Sequence, residues 1–230
     1  MTVCFVFAMS AEAENILRKA IVLEDRLLGY TRLCRIELDG KEAFVCVTGI
    51  GKVLAGAAIA ATIACHPEID AFVNLGIGGS LDPNVAPLFS AVISNQLVQH
   101  DVDTIGLGDD PGYLSTPKIT YIPANEPLTE KIAKTCEQLG VPYCFGTMAS
   151  GDQFIVDEEV KGAIVSLFDA LMIDMESAAM AEIAFGFGKP FASVRIVSDA
   201  VDHEKEYWEN KLPACAKVCE IGVALLKNLD

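Results

Sequence analysis

The chain has 230 residues, of which 52% are hydrophobic and 21% charged, a composition typical of a globular protein and not of a disordered one. Its formal net charge of −15 at pH 7 argues against nucleic acids and anionic membranes as partners. Its apolar runs are too short for a membrane span, and its apolar start is too short and lacks the basic residues of a signal peptide. We therefore expect a single domain over residues 1–230, without a membrane segment.

The first half of the chain predicts four strands and two helices. In chain order they are a strand over residues 2–8, a helix capped by Ser10, a hairpin of strands over 32–37 and 43–48, a helix over 52–64 and a strand over 71–75. The Asp39-Gly40 pair is a strong turn signal between the hairpin strands. We expect the last of these strands to end before the glycine-rich residues 76–79.

The second half continues the alternation of strands and helices. In chain order we expect a strand over residues 91–99, a turn-rich loop over 101–123, a helix over 126–139, a strand over 142–149, a helix over 157–168, a strand over 171–174, a helix over 175–187, a strand over 191–197 and a helix over 211–226. Loops as long as the one over residues 101–123 are usually functional. The alternation predicts an α/β fold, a three-layer αβα sandwich whose central sheet is made mixed by the early hairpin.

The eight cysteines lie mostly in apolar runs and form no Cys-x-x-Cys pair, so we expect buried free thiols and no metal site. Cys215 and Cys219 share one helix face, where core packing is favoured over metal binding. Free thiols in this number are typical of a reducing compartment, and we expect a cytoplasmic protein.

Carboxylates follow several of the predicted strands. Ligands of open α/β sheets bind at the carboxyl ends of the strands, so these residues are candidates for chemistry. They are Glu12, Asp152, Glu176 and Asp199, accompanied by Arg195 and Lys52 as the nearby basic residues. Each carboxylate alone has a structural explanation, as a charge at a helix terminus or as a turn residue. Together on one rim they are harder to explain structurally, and they remain candidates for a functional site.

The glycines at 76–79 match no phosphate-binding motif. The third glycine of a dinucleotide fingerprint is replaced by Leu81, and the chain has no Gly-Lys-Ser/Thr of a P-loop. Taken alone, the segment is therefore consistent with a tight turn.

Six strings of residues occur in an order that resembles a known family. They are Ala8-Met9-Ser10-Ala11-Glu12, Thr48-Gly49-Ile50-Gly51-Lys52, Asn74-Leu75-Gly76-Ile77-Gly78-Gly79, Ser150-Gly151-Asp152-Gln153-Phe154-Ile155, Asp174-Met175-Glu176-Ser177-Ala178-Ala179 and Val194-Arg195-Ile196-Val197-Ser198-Asp199. Together they resemble the 5′-methylthioadenosine/S-adenosylhomocysteine nucleosidases of the purine nucleoside phosphorylase superfamily. The resemblance extends to about residue 202 and implies a nucleoside phosphorylase-like fold. It also implies hydrolysis of the N-glycosidic bond of 5′-thio-substituted adenosines, with no cofactor.

The resemblance also implies a role for each matching residue. The two catalytic residues would be Glu12, which activates water, and Asp199, which acts on N7 of adenine. The substrate-binding residues would be Ser198 beside Asp199, Phe154 and Ile155 at the base, Met175 and Glu176 at the ribose, and Met9, Ile50 and Gly78 around the sugar and 5′ group. The resemblance further implies a homodimer, in which the partner's loop from Val102 to Pro111 completes the 5′ pocket. Tyr207 or Trp208 would cap the same pocket.

The chemistry of the reaction agrees with these roles. Breaking a ribosyl–purine bond develops positive charge on the sugar and negative charge on the departing base. A protonated carboxyl at N7 neutralises the base, while an ionised carboxylate deprotonates water. The first needs a raised pKa, which burial or a neighbouring carboxylate supplies.

Three alternatives stay open from the sequence. A phosphorylase of the same fold would need cationic groups near the glycines at 76–79, where we expect no arginine, and Glu12 would repel phosphate. A hydrolase for another 5′ group, such as futalosine, or for another base is the second alternative, and Ile77 is bulkier than the residue at that position in better-known members. A non-catalytic nucleoside-binding protein is the third, and the presence of all three carboxylates argues against it.

Overall fold

A mixed β-sheet forms the centre of the structure, a computed structural model that describes residues 1–200 and 204–229. The strands of the described residues are β1 (Val3–Phe7), β2 (Ile21–Leu28), β3 (Thr31–Leu38), β4 (Lys41–Val47), β5 (Ala71–Ser80), β6 (Ala91–Gln99), β7 (Ile122–Pro123), β8 (Tyr143–Ser150), β9 (Ala170–Asp174) and β10 (Phe191–Ala200). The helices are α1 (Ser10–Lys19), α2 (Lys52–Cys65), α3 (Glu126–Leu139), α4 (Glu158–Phe168), α5 (Ser177–Gly186) and α6 (Glu204–Asn228), with a 3₁₀ turn at Ile105–Leu107.

Half of the sheet closes on itself. The strand β5 pairs in parallel with β1 and β10 and antiparallel with β9. Because β9 continues through β8 and β6 back to β10, five strands form a closed ring. The strands β4, β3 and β2 extend the sheet from β1 on the other side. The predicted mixed sheet is confirmed, and the closure of the ring was not predicted.

Helices cover both faces of the sheet, as predicted. The helices α1, α3 and α6 pack together over one face, and α2 and α5 pack over the other. The helix α4 packs against β8 and β9 at the side of the ring. The predicted apolar stripe of α6 is buried, with Val218, Ile221 and Leu225 fully inaccessible. The three-layer α/β fold is therefore confirmed.

Several predicted boundaries were wrong. The helix α1 is capped by Met9 and not by Ser10, and α6 starts well before residue 211 and continues through Pro213. The edge strand β2 was missed: its short apolar run Ile21-Val22-Leu23 is followed by three charged residues, and its side chains are mostly exposed. The strands β5 and β10 extend past their predicted ends, through the glycines at 76–79 and through Asp199. Pairing between these two strands continues where the sequence predicts turns.

The cysteines are free, and most of them are buried as predicted, although Cys65 is exposed at the end of α2. Among the described residues, no helix is both long enough and apolar enough to cross a membrane. Within the same ranges there is no group of three or more side chains suited to hold a metal ion.

The N-cap of α4 gives a test of the fold. Asp157 accepts hydrogen bonds from the backbone N–H groups of Glu159 and Val160 at 2.9 and 3.0 Å. Asp157→Ala removes this cap, and we expect it to lower the free energy of unfolding by about 1 kcal/mol. The measurement is urea-induced unfolding, with Asp157→Asn as the control because asparagine is also a good N-cap. Equal losses in both variants would show that the cap contributes little.

Candidate active site

A cavity that is open to solvent lies at the carboxyl ends of β1, β4, β5, β8, β9 and β10. Its lining residues are Ala8, Met9, Glu12, Ile50, Ile77, Gly78, Gly79, Gln153, Phe154, Ile155, Ile173, Asp174, Met175, Glu176, Arg195, Ser198, Asp199 and Tyr207. Most of its lining surface is apolar, and the charged residues among the described residues that line it are four carboxylates and one arginine. Such a concave, mostly apolar site with a few convergent polar groups is typical of a small-molecule pocket.

The cavity brings together all ten site residues singled out from the sequence. Asp152 does not line it, and its side chain instead accepts a hydrogen bond from the backbone N–H of Lys52 at 2.7 Å. The fourth carboxylate of the cavity is Asp174, to which the sequence analysis gave no role. Its position two residues before Glu176, at the end of a strand, was a signal that could have identified it.

Glu12 lies at the floor of the cavity because of the turn that leads from β1 into α1. Its Oε2 accepts a hydrogen bond from Met9 N at 2.8 Å, and its Oε1 accepts one from Ile77 N at 3.1 Å. The side chain is fully buried. Burial raises the pKa of Glu12, while the nearby Arg195 and the two N–H groups oppose that rise by stabilising the ionised form. Glu12 is thus a carboxylate fixed in place and made a stronger base than an exposed one.

Arg195 is 2% exposed and organises the charges beneath the cavity. It forms ion pairs with Asp174 at 2.8 Å and with Glu176 at 3.3 Å, and it donates a hydrogen bond to the carbonyl of Ile77 at 2.9 Å. A Cβ at Gly76 would lie 2.5 Å from Nη1 of this arginine, so only glycine fits there. The expectation that no arginine lies near the glycines was wrong, because β10 runs beside β5.

Glu176 is positioned by the first turn of α5, of which it is the N-cap and not, as predicted, a helical residue. Its Oε1 accepts a hydrogen bond from Gly51 N at 3.0 Å. The turn itself is held by Asp174, whose Oδ1 accepts from the N–H groups of Glu176 and Ser177 at 3.1 and 3.2 Å. Burial raises the pKa of Glu176 to about 7, although the charge of Arg195 opposes the rise.

Asp199 reaches the cavity through an irregularity in β10. Val197 pairs with Gly78 and Asp199 with Gly79, so Ser198 is an extra residue in the ladder. Bulges of this kind re-aim side chains and often lie next to functional sites. The Ser198 hydroxyl donates to Asp199 Oδ1 at 2.5 Å. Burial raises the pKa of Asp199, the Ser198 hydrogen bond opposes this, and the negative charge of Glu206 adds to it.

Aromatic side chains form one wall of the cavity. Phe154, 51% exposed, meets the ring of Tyr207 edge-on with 5.3 Å between centroids. The Tyr207 hydroxyl lies 3.9 Å from Met9 Sδ, so this tyrosine closes the space between the two. Trp208 packs on the outer side of Tyr207 and does not line the cavity. Of the two aromatic residues expected to cap the pocket, Tyr207 is the one that lines it.

The remaining lining residues lie next to the predicted ones in sequence. Ala8, Ile77, Gly79, Gln153 and Ile173 each lie within two residues of a predicted or newly found site residue. The strand ends that carry the motifs therefore supply the neighbouring surface as well. Glu12, in the first turn of α1, and Asp199, near the end of β10, face the same cavity, as an acid–base pair acting on one bound molecule requires.

Comparison with known proteins places this geometry in a family. The chain matches the Phosphorylase superfamily over residues 2–227. It is 31% identical, over the full length of both chains, to the 5′-methylthioadenosine/S-adenosylhomocysteine nucleosidase of Actinobacillus succinogenes.

Solved structures also superpose closely on this chain. The nucleosidase of that name from Neisseria meningitidis, in complex with methylthio-immucillin-A, superposes with a TM-score of 0.93 at 26% identity over 99% of both chains. A futalosine hydrolase of Helicobacter pylori superposes with a TM-score of 0.93 at 25% identity, covering 100% of this chain and 98% of the other. The chain therefore belongs to the 5′-methylthioadenosine/S-adenosylhomocysteine nucleosidase family of the Phosphorylase superfamily.

Proposed function

We propose that this protein hydrolyses the N-glycosidic bond of 5′-thio-substituted adenosines, releasing adenine and the thioribose. The substrates are methylthioadenosine and S-adenosylhomocysteine, the two compounds in the name of its relatives. The observation that carries the proposal is one cavity in which the buried carboxylates Glu12, Glu176 and Asp199 face a shared space.

Glu12 is the general base in this proposal. Burial raises the pKa of Glu12 and so makes it more basic toward water, while its two backbone donors and Arg195 favour the ionised form that the reaction needs. The resulting hydroxide attacks the anomeric carbon as the bond to adenine breaks. A general base in this position contributes about 10²–10⁴-fold to the rate.

Asp199 is the general acid. Its raised pKa favours the protonated carboxyl, which donates its proton to N7 and neutralises the departing base. Ser198 holds the orientation of the carboxyl through its hydrogen bond to Oδ1. Phe154 stacks on the base, and the backbone of Ile155 contacts its edge.

Glu176 binds the ribose. One of its oxygens accepts from Gly51 N and the other faces Arg195, so its carboxylate is fixed at the cavity surface. It accepts hydrogen bonds from the ribose hydroxyls and thereby adds electron density next to the developing sugar cation. Met175 lies under the sugar, and Met9, Ile50 and Gly78 surround the sugar and the 5′ group.

Phosphorolysis is disfavoured by the charges of the cavity. The guanidinium that lines the cavity belongs to Arg195, and it already forms ion pairs with Asp174 at 2.8 Å and with Glu176 at 3.3 Å. A phosphate dianion would have to enter beside Glu12, Asp174 and Glu176, and like charges at this distance repel strongly in a buried site. Water carries no such penalty, so we infer hydrolysis.

A futalosine-type substrate is the second candidate. The observation in its favour is the close superposition of a futalosine hydrolase on this chain. Ile77 lines the cavity. Since the resemblance implies a smaller residue at that position in better-known members, we infer that the sugar pocket has a different shape here.

Assembly and cellular role extend the proposal. We infer a homodimer, since the loop from Val102 to Pro111 contributes nothing to the cavity of its own chain and exposes Ile105 and Leu107. In the dimer this loop completes the 5′ pocket of the partner. We also place the protein in the cytoplasm and its reaction in the salvage of methionine.

A substrate panel tests the proposed function. Release of free base is measured from methylthioadenosine, adenosylhomocysteine, adenosine, inosine and futalosine, each with and without phosphate. We expect rapid release of adenine from the thioadenosines at a rate that phosphate leaves unchanged. Activity that requires phosphate would instead show a phosphorylase, and preferred cleavage of futalosine would favour the second candidate.

Replacing the acid gives a sharper test. Asp199→Asn keeps the shape of the side chain but has no carboxyl proton to give, so we expect turnover to fall by at least about 10²-fold. Binding of methylthioadenosine, measured by calorimetry, should stay within a few fold of wild type because the amide still donates a hydrogen bond to N7. Wild-type turnover in this variant would show that Asp199 is not the acid.

The pH dependence of the reaction follows from the same group. Asp199 must be protonated to act, so activity is lost as pH rises through its raised pKa. Ser198 lowers that pKa by hydrogen bonding to the ionised form, and Ser198→Ala should therefore move the alkaline limb of kcat/KM to higher pH. Ser166→Ala, at an exposed position of α4, serves as the control and should leave the profile unchanged. A shift to lower pH in Ser198→Ala would contradict this assignment.

A further inference from the structure

A second cluster of charges lies just outside the cavity and joins two of its loops. The sugar loop, residues 49–51, contributes Ile50 to the cavity, and the base loop, residues 151–155, contributes Phe154. We propose that Asp101 is a positioning residue that locks these two loops together through Lys52 and Asp152. The inference rests on the proposed function, since it concerns how the same site holds a nucleoside.

The sugar loop depends on Lys52 for its position. Gly51 donates its N–H to Glu176 at 3.0 Å and has a φ of +96°, a conformation that favours glycine. The next residue, Lys52, begins α2, and its backbone N–H donates to Asp152 Oδ1 at 2.7 Å. The end of the sugar loop is thus tied directly to the base loop.

Asp101 supplies the second tie. Its Oδ1 accepts from Lys52 Nζ at 2.5 Å, and its Oδ2 accepts from Asp152 N at 2.9 Å. One carboxylate therefore holds both Lys52, the residue that follows the sugar loop, and Asp152 of the base loop, and the three residues form a closed cycle of hydrogen bonds. The side chains of Lys52 and Asp101 are only 16% and 21% exposed, so solvent screens their attraction less than at an open surface.

The charge state of Asp101 suits this function. Burial disfavours its ionised form, but the hydrogen bonds from Lys52 and from the backbone of Asp152 outweigh burial and hold its pKa below the usual range. The carboxylate is consequently ionised near neutral pH. Hydrogen bonds with an ionised partner are about twice as strong as those between neutral groups.

The residue before Asp101 supports the same loop by packing. A Cβ at Gly151 would lie 2.3 Å from Nε2 of His100, so the backbone of the base loop rests on this ring. From Gly151 to Asp157 the chain forms neither helix nor strand. Contacts from residues 100 and 101 therefore hold this segment, which lacks the regular backbone hydrogen bonds of β8 before it and of α4 after it.

Locking the loops matters because a nucleoside touches both of them at once. Its base lies against Phe154 and its ribose against the sugar loop, so tight binding requires the two loops at a fixed separation. Adenine alone uses only the base loop and does not sense that separation. The lock therefore contributes to binding of the whole nucleoside and little to binding of the free base.

Asp101→Asn tests the lock with a nearly isosteric side chain. We expect KM for methylthioadenosine to rise by about ten-fold, since misplaced loops weaken binding, while kcat changes by less than about three-fold and inhibition by adenine by less than about two-fold. Asp101→Glu should restore part of the loss because it keeps the carboxylate. Asp39→Asn is the matched control: it breaks an exposed Lys–Asp ion pair, with Lys227 at 2.8 Å, and should change none of these values.

Two further measurements keep the result decisive. Lys52→Met removes the other side of the ion pair and should give the same split between nucleoside and adenine, so it replaces Asp101→Asn if that variant fails to fold. Calorimetry in an Asp199→Asn background measures binding without turnover, so it tests the lock even if the wild-type protein cleaves none of the panel. Equal weakening of nucleoside and adenine, or no weakening of either, would overturn the lock.

Discussion

The site depends on one buried arginine placed among three carboxylates. Arg195 neutralises part of the charge of Asp174, Glu176 and Glu12, each of which would otherwise be costly to bury. Burial nevertheless keeps the pKa values of Glu12 and Glu176 raised, and at Glu176 the negative charges of Asp174 and Glu12 add to the rise. The same balance leaves no positive charge for an anionic substrate. Basic carboxylates and exclusion of phosphate thus have a common electrostatic origin.

Much of the fold could be predicted because turn residues and changes in the apolar pattern mark where many helices and strands begin and end. The strand β6 and the helix α3 have the predicted boundaries, and the Asp39-Gly40 turn joins β3 to β4. The place of the site followed from a general property of parallel sheets, whose strand ends collect polar residues at one rim. Contacts between particular side chains could not be derived in this way, since they depend on which strands become neighbours.

The failures share one physical reason, which is that tertiary pairing overrides local signals. The glycines at 76–79 look like a turn, yet they continue the strand β5. Glycine is needed there because Arg195 and Met172 occupy the space that a side chain at Gly76 or Gly78 would fill. Asp199 looks like a residue after a strand, yet pairing with Gly79 keeps it inside β10. Asp152 looks like a member of the acidic rim, yet its carboxylate accepts a hydrogen bond from the backbone N–H of Lys52 at the N-terminus of α2.

Pro213 divides the helix α6 into two parts with different structural roles. Residues after Pro213 fill the core through Val218 and Ile221, whereas the turns before it carry Tyr207 to the cavity wall. Proline has no N–H to donate to the preceding turn, so the two parts are joined by a weaker helical ladder. Local opening of the first turns therefore costs less free energy than unfolding of the core. The part of the cavity wall that Tyr207 forms can therefore open for a ligand to enter or leave while the part of α6 after Pro213 stays packed in the core.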